Sequence, residues 1–219
     1  MTLPTVAVLG GTGQQGRGIA LRLARAGHRV IVGSRDAARA ATIVSEWSAT
    51  KGTITADGYG GAAAVAGIAV LAVPFDAIDP LLDGLRSSLQ PGALVIDVTV
   101  PIAFGAGGAT MIAVAEGSAT EHIKARLPDG VRLAGAFKTL PAHLLNELDR
   151  PVDCDEFICG DSAEARAEAS SVAAAIEGLR PVDVGPLSRA RSIEHLTLLA
   201  IAINRKHKLR DARYRVAGL

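Results

Sequence analysis

Short apolar runs alternate with stretches of helical spacing along this chain. The runs lie at residues 5–9, 28–32, 53–55, 68–73, 93–98 and 131–136. A run apolar at every position, such as Ile68-Ala69-Val70-Leu71-Ala72-Val73, predicts a strand buried on both faces, the habit of parallel sheets. Pro74 ends that run, because proline has no N–H for a ladder. Residues 14–26 predict a helix with Ile19 and Leu23 on one face and Arg22 and Arg25 on another, closed by Gly27. A second helix follows Asp36, with Ile43, Val44 and Trp47 on its buried side. Residues 62–66, 75–89 and 116–127 predict three more helices, the first of them brief. Residues 103–111 have no clear period and read as a glycine-rich loop, either functional or surface filler.

Beyond residue 136 the alternation continues. A strand is predicted near Phe157-Ile158-Cys159, then a helix over 162–177, a strand over 181–184 and a final helix over 188–204. That last helix carries Ile193, Leu196, Leu199, Ala200 and Ile203, with Leu198 and Ile201 on adjoining faces, so it must be covered by something. Strand-helix alternation of this kind predicts an α/β fold: a Rossmann-type, doubly wound, mostly parallel sheet with a small C-terminal α/β extension ending in a long apolar helix. Residues 1–136 form the expected larger domain and residues 137–219 the smaller C-terminal unit.

Composition narrows the function classes. With 49% hydrophobic but only 3% aromatic residues, the core must be built of Ala, Val, Leu and Ile. A net charge of +1 offers no global attraction to nucleic acid or to a membrane surface. No run approaches a membrane span, and no basic-then-apolar leader opens the chain, so a cytoplasmic location is expected. Cys154 and Cys159 frame one strand and would stand roughly 16 Å apart on opposite faces, too far for a disulfide. Neither has companions at metal-ligand spacing, so both read as packing residues and no metal is expected.

The chemistry starts at Gly11-Thr12-Gly13-Gln14-Gln15-Gly16, a G-x-G-x-x-G turn between the first strand and the first helix. The first glycine permits the turn, the second lets backbone approach a pyrophosphate, and the third lets helix pack on strand. Amides at the helix start then face the phosphates. The second strand ends Gly33-Ser34-Arg35, where chains that bind NAD usually carry an acid for the ribose 2′-hydroxyl. A hydroxyl and a guanidinium suit a 2′-phosphate instead. Arg39 follows four residues later on the same helix face, and Asp36 is expected to cap that helix. NADP is therefore the predicted dinucleotide.

These residues resemble a known family. Gly10-Gly11-Thr12-Gly13-Gln14-Gln15-Gly16-Arg17-Gly18, Ala26-Gly27-His28 and Ile31-Val32-Gly33-Ser34-Arg35 look like the opening of the NADP-dependent deazaflavin oxidoreductases, also called coenzyme F420-dependent NADP reductases. The likeness continues in Ala72-Val73-Pro74, in Ile158-Cys159-Gly160-Asp161, in residues 185–191 and 194–197, and on through Asn204-Arg205 and Ala217-Gly218-Leu219. It implies direct hydride transfer between nicotinamide C4 and C5 of a deazaflavin, the two rings held face to face without a general acid or base. By matching position it places Gly11, Thr12, Gly13, Gln14, Gln15 and Gly16 at the pyrophosphate, and Ser34, Arg35 and Arg39 at the 2′-phosphate. Val73 and Pro74 fall at the nicotinamide half and Ala136 close to that ring. Val98, Val100 and Pro101 fall at one wall of the second-ring pocket. The resemblance also implies that residues 1–136 are the NADP-binding domain, that residues 137–219 contribute to the second-substrate pocket and the dimer interface, and that the protein is a homodimer.

One departure stands out. The family commonly has a histidine after the sixth strand, where this chain has Lys138. Lys138 is either a solvated strand-end lysine or a contact for the second substrate, and that substrate stays open. An NADPH-dependent reductase of a flavin or a small imine or carbonyl, and a non-catalytic NADP sensor, use the same turn and the same arginines. His195 is expected to be a hydrogen-bonded structural residue and His28 to meet the last carbonyls of the first helix. His122 and His143 show no partner. Arg205, Lys206, Lys208, Arg210, Arg213 and Arg215 read as a basic tail, either solvated or attractive to an anionic side chain.

Overall fold

The computed structural model describes residues 3–47 and 52–219. One sheet of eight strands forms the centre. In chain order its members are β1 (Val6–Leu9), β2 (Arg29–Ser34), β3 (Thr53–Gly58), β4 (Ile68–Leu71), β5 (Leu94–Asp97), β8 (Arg132–Gly135), β9 (Cys154–Gly160) and β10 (Leu179–Pro186). Their spatial order is β10-β9-β8-β5-β4-β1-β2-β3. From β3 to β8 all pairings are parallel, which is the doubly wound order with its reversal point between β1 and β4. β9 then runs antiparallel to β8, and β10 parallel to β9.

Alternation along the strands sorts the core into two layers. Val6 and Val8 face one side with Ile19 and Leu23 of α1 (Gln14–Arg25) and Val44 of α2 (Ala37–Ser45). Ala7 and Leu9 face the other with α3 (Tyr59–Ala64), α4 (Ile78–Leu85) and Ile123 of α5 (Ala119–Lys124). A third, smaller cluster of Phe157, Cys159, Ala190 and Ile193 packs α8 (Ala190–His207) against β9.

Several segments differ from the sequence expectation. Residues 103–111 lie in an antiparallel hairpin, β6 (Ile102–Gly105) and β7 (Gly108–Met111), which packs on α8. The strands are only four residues each, with Ile102, Phe104 and Met111 on one face and Ala103, Gly105 and Gly108 on the other, too short a run to set a period, and Gly108 at φ +117° helps close the tight turn. The expected helix over 75–89 begins as a single 3-10 turn, Phe75–Ala77, and its α-helical part ends at Leu85. The helix expected from residue 116 starts later, because Ser118 caps it by accepting from the Glu121 N–H at 3.1 Å. A short helix with no sequence forecast, α6 (Ala142–Asn146), lies on α1 where Gly18 leaves room for Leu145. Arg22 of α1 is buried beneath it and donates to the carbonyls of Leu144, Leu145, Glu147 and Arg150. Helix α7 (Ala163–Ala174) covers the far end of that layer.

The C-terminal tail is solvated only in its first part: Lys206, Lys208 and Arg210 are exposed, and the segment from residue 211 onward is held against the sheet. It lies beside β9, with the Asp155 N–H donating to Tyr214 O at 2.9 Å. Arg215 pairs with Asp153, Arg213 with Asp211, and Arg205 donates to Gly107 O. Buried Asp155 accepts from Arg180 at 2.7 Å and from the Val216 N–H at 2.5 Å. Helix α8 is less covered than its composition implies: Leu199 is 50% exposed, and Leu196, Leu198, Ile201 and Ile203 are half-buried. Cys154 and Cys159 are free and buried, and burial pushes their thiols up to about 12 and about 11. No helix among the described residues is long and apolar enough to cross a membrane.

Candidate active site

The glycine turn sits at the carboxyl end of β1, beside the reversal point. Gly10, one residue ahead of the motif, makes the turn itself with φ +85°, and its N–H donates to Gly33 O at 2.9 Å. Gly11 is a matter of space, since a Cβ there would meet Val8 O at 2.8 Å. Gly13 caps α1 with no side chain, so the first amides of the helix have no side-chain partner. A Cβ on Gly16 would lie 2.6 Å from Gly10 O. The turn is thus a bare backbone cradle at a helix N-terminus, the arrangement that receives phosphate oxygens.

A cavity of about 320 Å³ opens in front of it, lined by Gly10, Thr12, Gly13, Ser34, Arg35 and Arg39 among others. It adjoins a second cavity of about 540 Å³ through Arg35, Tyr59, Val73 and Pro74, which line both. Asp36 is occupied with α2, its Oδ1 accepting from the Arg39 N–H at 2.9 Å. Neither Arg35 nor Arg39 is ion-paired among the described residues, so two uncompensated guanidinium groups face the cleft beyond β2. Tyr59, which opens α3 past the end of β3, was not singled out in the sequence. Its one signal was an aromatic ring just beyond a strand in a chain only 3% aromatic.

Val98 and Ala136 sit at the ends of β5 and β8, but both are buried and line neither cavity. Pro101 lies across the sheet end, in a separate groove with Met111, Arg191, Glu194 and His195. Gln15 crosses the gap between the two sides: its Nε2 donates to Phe137 O at 2.9 Å. Phe137 is fully buried with φ +59°, a left-handed backbone that a bulky residue rarely adopts. Its N–H donates to Glu156 Oε1 at 2.5 Å. Burial pushes the Glu156 carboxyl up to about 8, against the opposing pull of the Phe137 and Lys138 N–H groups and the Lys138 charge.

Lys138 is neither solvated nor open to a ligand. Its side chain is fully buried, and Nζ donates to Asp97 Oδ2 at 2.6 Å, to Thr99 O at 2.5 Å and to Glu194 Oε1 at 3.4 Å. Burial alone would lower the Lys138 pKa, but the Asp97 and Glu194 carboxylates more than offset it and hold the ammonium charged. Asp97 also accepts from Thr99 and Thr120, and Glu194 from the Ala119 N–H at the start of α5. The expectation of a substrate contact at Lys138 gives way to an internal ion cluster joining the ends of β5 and β8 to α5 and α8. Glu194 falls within the resemblance at residues 194–197, but its approach to Lys138, 56 residues away in sequence, has no local signal.

The histidines have local roles. His28 Nδ1 faces Pro4 O at 3.1 Å, so it is only the backbone N–H of this residue that reaches the helix end, at Leu23 O. His195 Nδ1 faces Arg191 O at 2.7 Å. His122 lies between Asp79 and Glu116 and ties α4 to α5. Among the described residues no cluster of His, Cys, Asp or Glu has the geometry of a metal site.

The strand order, the backbone cradle and the two arginines past β2 are those of a dinucleotide-binding α/β fold. Residues 5–101 match the family model described as NADP oxidoreductase, coenzyme F420-dependent. Over 98% of both chains the sequence is 40% identical to the F420-dependent NADP reductase of Methanothermobacter marburgensis, and 34% identical to that of Methanocaldococcus jannaschii. The chain belongs to the F420-dependent NADP reductase family. A crystal structure from Arthrobacter sp. FB24, 24% identical, superposes with a TM-score of 0.83 over 98% of this chain and all of the other, which bears on the fold.

Proposed function

We propose that the protein transfers hydride between NADP(H) and coenzyme F420. The observation that carries this is the near full-length 40% identity with a methanogen reductase, combined with Arg35 just past β2 and Arg39 in α2, neither ion-paired among the described residues, where an NAD-binding chain would present an acid. When bound, the two coenzymes supply the chemistry themselves: NADPH and oxidised F420, with one proton from solvent, give NADP+ and reduced F420.

This chain's own residues bind and orient. The first amides of α1 and the backbone of residues 11–16 take the pyrophosphate. Ser34, Arg35 and Arg39 hold the 2′-phosphate, Arg by planar pairing of its N–H groups with phosphate oxygens. Tyr59 flanks the adenosine half, and Pro74 stands with Val73 toward the nicotinamide half. Val73 bounds the nicotinamide half, with Val98 and Ala136 shaping the floor from beneath. Residues 137–219 supply the far wall for the second ring, and the exposed side of α8, centred on Leu199, pairs two copies. A dimer working on two small anionic coenzymes in the cytoplasm, with no nucleic acid or membrane partner, completes the reading.

Mixing the protein with NADPH and oxidised F420 tests it. The expected result is loss of the F420 absorbance with stoichiometric NADPH oxidation. No loss, alongside NADPH oxidation by a flavin or a small imine or carbonyl, would overturn it.

A further inference from the structure

We infer that Glu156, which faces no cleft, is a positioning residue for NADP(H): through the Phe137 peptide it holds the Gln15 carboxamide beside the glycine turn. The inference rests on the reading of that turn as the dinucleotide grip.

Three observations converge on it. The first is a carboxyl whose setting is hard to justify by stability alone. Glu156 lies inside β9 with no exposed surface, one oxygen 2.5 Å from the Phe137 N–H, the other without a partner among the described residues. An unpartnered buried polar atom costs about 1–3 kcal/mol. The second is the conformation of Phe137. Left-handed backbone disfavours a residue with a Cβ by roughly 1–2 kcal/mol, and such strain persists only where the surroundings impose it. The third is the far end of the chain of contacts. The Phe137 carbonyl accepts from Gln15, 122 residues earlier in sequence and in the first turn of α1.

The turn between β8 and α6 is clamped on both sides. After Phe137, the Lys138 ammonium is fixed by Asp97 and Thr99, and the Lys138 carbonyl accepts from the Thr197 hydroxyl at 2.9 Å. Before it, the Ala136 N–H donates to Asp97 O at 3.0 Å. The Phe137 N–H and C=O lie on successive peptide groups related through φ and ψ of Phe137, and the bond from that N–H to Glu156 holds φ in the left-handed region that aims the carbonyl at Gln15. Without an acceptor for its N–H, Phe137 can return to negative φ, which swings the Phe137–Lys138 peptide group and withdraws the Phe137 carbonyl from Gln15. The carboxamide then loses its anchor and the first turn of α1 its tie across the gap between β1 and β8.

NADPH affinity, read by its fluorescence on binding, tests this without F420. Glu156→Gln keeps an acceptor for the Phe137 N–H and should bind NADPH like the wild type. Glu156→Leu removes the acceptor at similar volume and should weaken binding about tenfold, raising KM for NADPH while leaving kcat at saturation within about twofold. Gln15→Leu should show the same loss, and Glu156→Leu should add nothing to it in the double variant. Wild-type affinity in folded Glu156→Leu, or a full additive loss in the double variant, would overturn the inference. If Glu156→Leu does not fold, Glu156→Asp withdraws the acceptor by one methylene and should show a smaller loss coupled to Gln15 in the same way; no loss, or an uncoupled one, overturns it. Failure of the wild type to bind NADPH at all would instead remove the functional reading.

Discussion

Lys138 Nζ and Asp97 Oδ2 lie 2.6 Å apart with both side chains fully buried, one at the end of β8 and the other at the end of β5. Removing one member of such a pair strands a charge in the interior. Lys138→Met should therefore cost about 3–5 kcal/mol of unfolding free energy, read from denaturant midpoints. Adding Asp97→Asn should restore part of it. A variant as stable as the wild type would show that the pair is not internal to the fold.

Arg35 and Arg39 line the cleft with no ion pair among the described residues. A hydrogen bond to a charged phosphate is worth about 1.5–3 kcal/mol, so Arg35→Ala should lower kcat/KM for NADPH about 10- to 100-fold. The value for NADH should barely move. Equal losses with both nucleotides would place the 2′-phosphate elsewhere.

Gly16 approaches the turn so closely that a methyl group there would lie 2.6 Å from Gly10 O. Gly16→Ala must push α1 away from the cradle. NADPH binding should weaken by about tenfold or more while the circular-dichroism spectrum stays that of the wild type. Unchanged affinity would mean that the helix start does not face the phosphates.

Glu156 makes stability depend on pH. Its carboxyl ionises near 4.5 when free and is pushed by burial up to about 8 in the fold. Between those values the folded chain keeps a proton that the unfolded chain has released, so stability falls as pH rises through that window, by up to about 1.4 kcal/mol per pH unit. Below 4.5 and above 8 this group adds no slope. Denaturant midpoints at pH 6 and pH 8 should converge in Glu156→Gln, and an unaltered difference between them would assign the slope to other groups.

Leu199 is half exposed on α8, with half-buried Leu196, Leu198 and Ile203 nearby in sequence. If that side pairs two copies, sedimentation of the wild type at micromolar concentration should give a dimer, and Leu199→Lys a monomer. A monomeric wild type would sink the proposal.

The strand-turn-helix unit at residues 6–25 and the arginines past β2 were legible in the sequence because each depends on neighbours in the chain. Strict glycine spacing, a run apolar at every position and a missing acid at the end of β2 are local signals. The doubly wound order followed from alternating elements of those lengths. The β6–β7 hairpin is not legible because each strand is four residues long and interrupted by glycine and alanine, too short for Ile102, Phe104 and Met111 to establish an alternation.

Local chemistry, then, settles the class of sheet and the glycine-turn and arginine side of the cleft. Only tertiary structure decides the fate of Lys138, Glu156, Arg22 and Glu194. A buried polar group is satisfied by whatever the fold brings beside it, and those partners lie 41 residues away for Lys138 and Asp97 and 122 or more for Arg22 and the α6 carbonyls. Composition and periodicity record which residues prefer the interior, whereas the placing of one interior charge against another depends on which strand ends the topology sets side by side.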